Sequence, residues 1–151
     1  MQVVHITARD NPLVKLLRKL VQDPAGYRKQ GLLWLEGDHL CRAALERGLQ
    51  PEWAVVAASK QANIPINWYT GAKKLAVLDD ALMAQCSSLE SPAHMGFVLA
   101  LDSVQQTTVV PNTNTVVLDR IQDAGNVGSI LRTASAMGFT QVLAIKGTAA
   151  L

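Results

Sequence analysis

Val116 to Gly138 reads VVLDRIQDAGNVGSILRTASAMG. An apolar opening rich in valine, a polar turn and an apolar run of helical length narrow the local choices to strand, loop and helix. The pattern predicts a buried strand over Thr115–Asp119, a Gly125-Asn126-Val127-Gly128 turn, and a helix from about Asn126 to Met137 stopped by Gly138. A second strand over Gln141–Ile145 completes a β-α-β unit. Asn126 is a competent helix cap, and the free N–H groups of such a helix start can meet an anion. Arg132 falls one helical turn beyond Gly128 on nearly the same side, with Leu131, Ala134 and Met137 marking the expected buried side. An arginine in so apolar a helix needs a carboxylate partner or an anionic ligand. Asp119 and Asp123 are the candidate carboxylates. A dinucleotide fingerprint is not met: Ile130 and Leu131 stand where its third glycine belongs, and no acidic residue follows at the required spacing.

Upstream, Asn11-Pro12 is a helix start, a capping side chain followed by a residue with no donor to lose. Leu13, Leu16, Leu17, Leu20 and Val21 then recur at helical period. Lys15, Arg18 and Lys19 lie off that stripe. Asp23-Pro24 restarts a short helix carrying Tyr27, Arg28 and Lys29, ended by Gly31. The remaining pattern predicts a strand over Leu32–Glu36, a helix from Asp38 to about Arg47 stopped by Gly48, and strands over Trp53–Ala58 and Ile64–Tyr69. A helix near Asp79–Gln85 and a strand over Gly96–Leu101 follow. Helices alternating with short buried strands indicate an α/β sandwich. Ser103–Asn114, SVQQTTVVPNTN, has no apolar period and reads as a linker. The expected division is therefore a domain over 1–102, a linker over 103–114, and the start of a second domain over 115–151.

The chain is 49% hydrophobic and 17% charged, which favours a packed core over disorder. No apolar run reaches the roughly 18 residues of a membrane span, and no secretory signal is legible. Cys41 and Cys86 lack metal-ligand spacing and are read as free thiols of a reducing compartment, with a cytoplasmic location expected. His39 and His94 sit in no triad or metal spacing, and no metal site is expected. Net charge is only +2, but residues 1–30 carry a net of +4 and the other 121 a net of −2. Arg9, Lys15, Arg18, Lys19, Arg28 and Lys29 thus form either a phosphate-contacting surface or an ordinary solvated helix face. Trp34, Trp53, Trp68 and Tyr69 are possible base-stacking groups, although Trp34 and Trp53 lie in apolar strand runs that suit the core.

These residues carry a resemblance. LDRIQDAGNVGSILRTASAMGF resembles the first motif of the SpoU/TrmH group of RNA ribose 2′-O-methyltransferases, LDxIxDPxNxGxxxRTAxxFG, with Ala124 in place of the usual proline. ARDNPLVKLLRKL, Tyr27-Arg28, LLWLEGDHLCRAALERG and SPAHMGFVLAL are similar in order and spacing to that group's substrate-binding domain. The resemblance implies an α/β fold in two parts: a ribosomal-protein-like α/β/α domain that delivers RNA, and the first β-α-β of a trefoil-knot (SPOUT) domain.

It further implies that Asn126 and Arg132 are the catalytic positions, near the ribose 2′-hydroxyl and its phosphate. RNA contacts fall to Arg9, Asn11, Lys15, Arg18, Lys19, Arg28 and Lys29. S-adenosylmethionine is the implied methyl donor, with its binding segments expected past Leu151, so residues 1–151 alone are expected to bind it poorly and not to methylate RNA. A lone β-α-β unit, open on its sheet faces, is expected to be unstable. Ribosomal RNA is the expected substrate, transfer RNA the alternative, and a homodimer the expected assembly. A non-catalytic RNA-binding module and an unrelated nucleotide-binding α/β protein are the competing classes.

Overall fold

The computed structural model describes residues 2–87, 89–103 and 108–149, in two compact units, Met1–Gln105 and Gln106–Leu151. The first unit runs β1 (Gln2–Ile6), α1 (Pro12–Gln22), α2 (Gly26–Gln30), β2 (Leu32–Glu36), α3 (Asp38–Glu46), β3 (Trp53–Ala57), β4 (Lys74–Leu78), α4 (Asp80–Gln85) and β5 (Met95–Ala100). Its five strands lie in the order β1-β4-β3-β5-β2. β1, β4 and β3 pair in parallel, and β5 runs antiparallel to both β3 and β2.

Alternation along the central strands divides the core in two. Val55, Ala57, Ala76, Leu78 and Val98 face Leu13, Val14 and Leu17 of α1 and Leu82 and Met83 of α4. Ala54, Val56, Leu75, Val77, Phe97 and Leu99 face Cys41 and Ala44 of α3, together with Tyr69. Both faces of the sheet are covered, so its central strands are continuous apolar runs, as a sheet buried on two sides requires.

The expected helix punctuation is present. Asn11 caps α1 by accepting from the Leu13 N–H at 2.9 Å, with Pro12 in the first turn. Such a cap is worth about 1 kcal/mol. Gly31 ends α2 in the left-handed region at φ 63°, a conformation that costs other residues a steric clash.

Two corrections concern strands. Ile64–Tyr69 is not a strand: Ile66–Trp68 is a single 3₁₀ turn. Pro65 has no N–H to give a ladder, and its carbonyl accepts from Trp68 N at 2.9 Å, closing the backbone locally. The strand lies instead at β4, KLAVL, for which no element is expected above. The chain start, QVVHI, likewise forms β1, paired in register with β4 from Gln2–Lys74 to Ile6–Leu78.

The second unit contains β6 (Thr115–Leu118), α5 (Ala124–Ala136) and β7 (Gln141–Ala144), with β6 and β7 parallel. This is the β-α-β unit read from the sequence. Val117 and Val142 are exposed on the small sheet. Among the described residues no helix is long and apolar enough to cross a membrane.

Candidate active site and nucleic-acid interface

The loop between β6 and α5 is shaped by its own polar side chains. Arg120, in the left-handed region at φ 52°, meets the Asp119 carboxylate with two donors, at 2.8 and 3.2 Å. Gln122 donates to the carbonyls of Arg120 and Gly147, both at 2.9 Å. The buried Thr148 hydroxyl donates to the Leu118 carbonyl at 3.1 Å. These bonds tie the ends of β6 and β7 together.

The helix begins earlier than Asn126. Asp123 is the cap, its Oδ1 accepting from the Asn126 N–H at 2.6 Å. Asn126 is therefore inside the first turn, which corrects its expected capping role. The helix starts at Ala124, so Asp123 is the residue whose side chain meets a first-turn N–H, and Asn126 is already helical. The substitution frees the Asn126 carboxamide: it is exposed and has no hydrogen-bond partner among the described residues.

The buried side of α5 also differs from expectation. Val127 and Ala134 are buried and Ile130 half-buried, whereas Leu131 is 37% and Met137 72% exposed. Arg132 is exposed and forms no ion pair among the described residues. Its expected partners are engaged elsewhere, Asp119 with Arg120 and Asp123 at the helix cap. Arg132 reaches back along the helix toward its start. Nη2 donates to the Ser129 hydroxyl at 3.2 Å, and Nη1 would lie 3.3 Å from a Cβ placed on Gly128. Gly128 thus leaves room for the guanidinium one turn nearer the helix N-terminus. Here a cation without a carboxylate and a free carboxamide occupy one short segment just past the Asp123-capped helix start, and that pair suits an anion.

In the first unit the basic residues form subgroups. Arg9 and Arg18 both donate to Gln85 Oε1. Lys15 sits 3.4 Å from the exposed Asp10. Lys29 pairs with Asp23 at 2.8 Å, a contact that, with the Ala25 N–H, holds the Asp23 carboxyl below its usual pKa. The Arg28 guanidinium lies 5.4 Å from the Tyr27 ring centroid. Lys19 is exposed on α1. Exposed ion pairs of this kind are worth little. Asn11 differs from the rest, since its carboxamide oxygen is committed to the cap.

Other sequence candidates resolve simply. Both cysteines are free and buried, and burial, with Asp38 nearby, pushes the Cys41 thiol up to about 12. His39 Nδ1 shares a 3.2 Å hydrogen bond with Arg42. Trp34 and Trp53 pack against the core, as their strand positions suggest.

The SpoU rRNA Methylase family model matches residues 113–151, the segment just described. An uncharacterized tRNA/rRNA methyltransferase of Synechocystis is 33% identical over 139 residues, covering 90% of this chain and 50% of that protein. The 23S rRNA (guanosine(2553)-2′-O)-methyltransferase of Bacillus subtilis is 29% identical over 122 residues, covering 80% of this chain and 46% of its own. Among solved structures, the AdoMet-bound rRNA methyltransferase of Sinorhizobium meliloti superposes with a TM-score of 0.74 at 24% identity, over 98% of this chain and 56% of that one, and shares its fold. The chain spans about half the length of these curated relatives. The strand–loop–helix segment of the second unit thus carries the pattern of the SpoU rRNA methylase family, and similarity to RNA methyltransferases runs through the first unit as well.

Proposed function

We propose that the protein of which this chain is a part methylates the 2′-hydroxyl of a ribose in RNA, ribosomal RNA first, using S-adenosylmethionine. The observation that carries the reading is Arg132: an exposed guanidinium with no carboxylate partner among the described residues, turned back over Gly128 toward the start of α5. Similarity to RNA methyltransferases over most of the chain supports the substrate class.

S-adenosylmethionine supplies an electrophilic methyl group when bound. The described residues of the second unit do not fit it. The cavity against α5, about 350 Å³, is walled by Val116, Ile130, Ala134, Met137 and Phe139, with Ser129 and Thr133 its polar groups. It offers no charge to the donor's amino-acid end. On this reading the binding segments lie outside residues 1–151. The exposed Leu131, Met137, Phe139 and Ile145 support the further reading that the second unit is covered by a second copy in a homodimer.

Arg132 is assigned to the RNA. A guanidinium keeps its proton to above roughly pH 12 and is a poor base at neutral pH. Its fork instead grips a phosphate with two parallel hydrogen bonds, fixes the adjacent ribose, and stabilises charge developing on the 2′-oxygen. The Asn126 carboxamide, able to donate and accept, orients the same hydroxyl. Catalysis from these residues is mainly positioning. Arg132→Lys keeps the charge and removes the fork. In a protein long enough to hold the donor, methyl transfer should fall more than about tenfold, or ~1.4 kcal/mol. Near-full activity of that variant would overturn the bidentate role.

The first unit is proposed to bind RNA through Arg9, Lys15, Arg18, Lys19, Arg28 and Lys29, with Asn11 setting the helix start that presents them. Phosphate contacts release counterions, so affinity should fall about tenfold or more between roughly 50 and 200 mM salt. Filter binding across that range checks this, and a flat profile would withdraw the assignment.

A further inference from the structure

We infer that the first unit holds one unpaired RNA base, guanine by preference, in a cavity at the carboxyl ends of β2 and β3. The inference rests on the RNA-binding reading above and adds a site separate from the basic face of α1 and α2.

The cavity measures about 350 Å³, with Ile64 and Trp68 among its walls and Asp38, Lys60, Asn63 and His94 among its polar lining. It is built from three chain segments that meet at one end of the sheet: Asp38 just after β2, Lys60, Asn63 and Ile64 just after β3, and His94 just before β5.

The lining has the character of a nucleotide site. Trp68 presents an aromatic wall, and the Arg42 guanidinium, 4.8 Å from its ring centroid, steadies the ring. The four polar side chains, Asp38, Lys60, Asn63 and His94, make no hydrogen bond or close ion pair with the described residues; Lys60 and His94 lie near enough to the Asp80 carboxylate to help hold its pKa down. Polar groups that converge on an apolar cavity without hydrogen bonds among themselves are placed to meet a ligand's polar edge. A flat heterocycle stacks on the indole, and Lys60 supplies one cation for its phosphate. The Asp38 carboxylate only accepts, so it selects an edge that donates. Guanine presents N1–H and the 2-amino group side by side, one for each carboxylate oxygen. Uracil offers a single donor between two carbonyls, which face the carboxylate unfavourably.

The test uses the 151-residue chain and fluorescently labelled single-stranded heptamers that differ only in the central base, read by anisotropy. The guanine heptamer should bind tightest. Trp68→Leu should weaken it about tenfold, from the loss of one stacked base. Asp38→Asn, at a half-buried position outside both core clusters, should remove the preference for guanine over uracil by weakening the guanine heptamer, while uracil binding holds or rises as the carboxylate's repulsion of its carbonyls is lost. Equal affinity for all four bases, or no response to either substitution, overturns the cavity assignment. If binding in that case still falls in Lys15→Gln/Lys19→Gln, the broader RNA reading stands without the cavity. No binding of any heptamer at low salt overturns both.

Discussion

Phe97→Ala should lower the stability of the first unit by about 3–5 kcal/mol, the usual result of emptying a large aromatic site. Phe97 is fully buried and points into the cluster formed with Cys41, Ala44, Tyr69 and Leu75. It belongs to β5, held on one side by β2, where it faces Leu35, and on the other by β3, where it faces Ala54. A strand laddered on both edges cannot sink into the vacated space, so relaxation falls to α3 and the segment around Tyr69. Typical domains have only 5–15 kcal/mol in hand, and the change removes a large part of that. Urea titration should show a lower midpoint with an unchanged slope. A loss under about 1 kcal/mol would mean that α3 collapses onto the sheet and fills the site.

The neighbouring position should be nearly as sensitive for the opposite reason. Gly96→Ala is expected to cost about 3 kcal/mol, at the upper end of ordinary overpacking. The Trp34 ring lies directly across this glycine. A methyl group there would stand 2.5 Å from Trp34 Cζ2 and 2.7 Å from the Leu35 carbonyl oxygen. The carbonyl belongs to the β2–β5 ladder and cannot withdraw, so the indole must leave its place against the core. The pair should therefore couple. Removing the ring first, as Trp34→Ala, should make Gly96→Ala much cheaper, by 1 kcal/mol or more in a double-mutant cycle. Strict additivity would show that the ring is not what the methyl meets.

The helices were the most legible part of the fold because their signals are local. Asn11-Pro12, the apolar period through Val21, Gly31 after Gln30 and Gly48 after Arg47 each act within one or two turns. β2, β3, β5, β6 and β7 were legible as short apolar runs. The β1 and β4 strands were not: their place comes from parallel pairing of β1 with β4 and of β4 with β3, partners distant in the chain that no local period records. The Ile64–Tyr69 segment has the right residue types for a strand, yet turn closure around Pro65 prevails.

At the candidate site the residue identities were legible and their surroundings were not. Arg132 was recognisable as a cation that needs an anion, but whether Asp119 would supply it depends on the loop, where Arg120 takes that carboxylate. Asp123 was read only as a carboxylate partner for Arg132, yet it is the residue that caps the helix. Only the helix start shows which residue caps, since a cap serves the N–H groups two or three residues after itself.

The sequence by itself determined the alternation of helices and strands, the strand–loop–helix segment around Asn126 and Arg132, and the concentration of positive charge in residues 1–30. The tertiary structure decided which helix faces are covered and which distant residues meet. Asp38, Lys60 and His94 lie far apart in the chain and line one cavity because the strand order β1-β4-β3-β5-β2 brings the end of β2, the end of β3 and the start of β5 to the same end of the sheet. That order is set by non-local pairing, in which each strand's place depends on partners tens of residues away, and no local period records it.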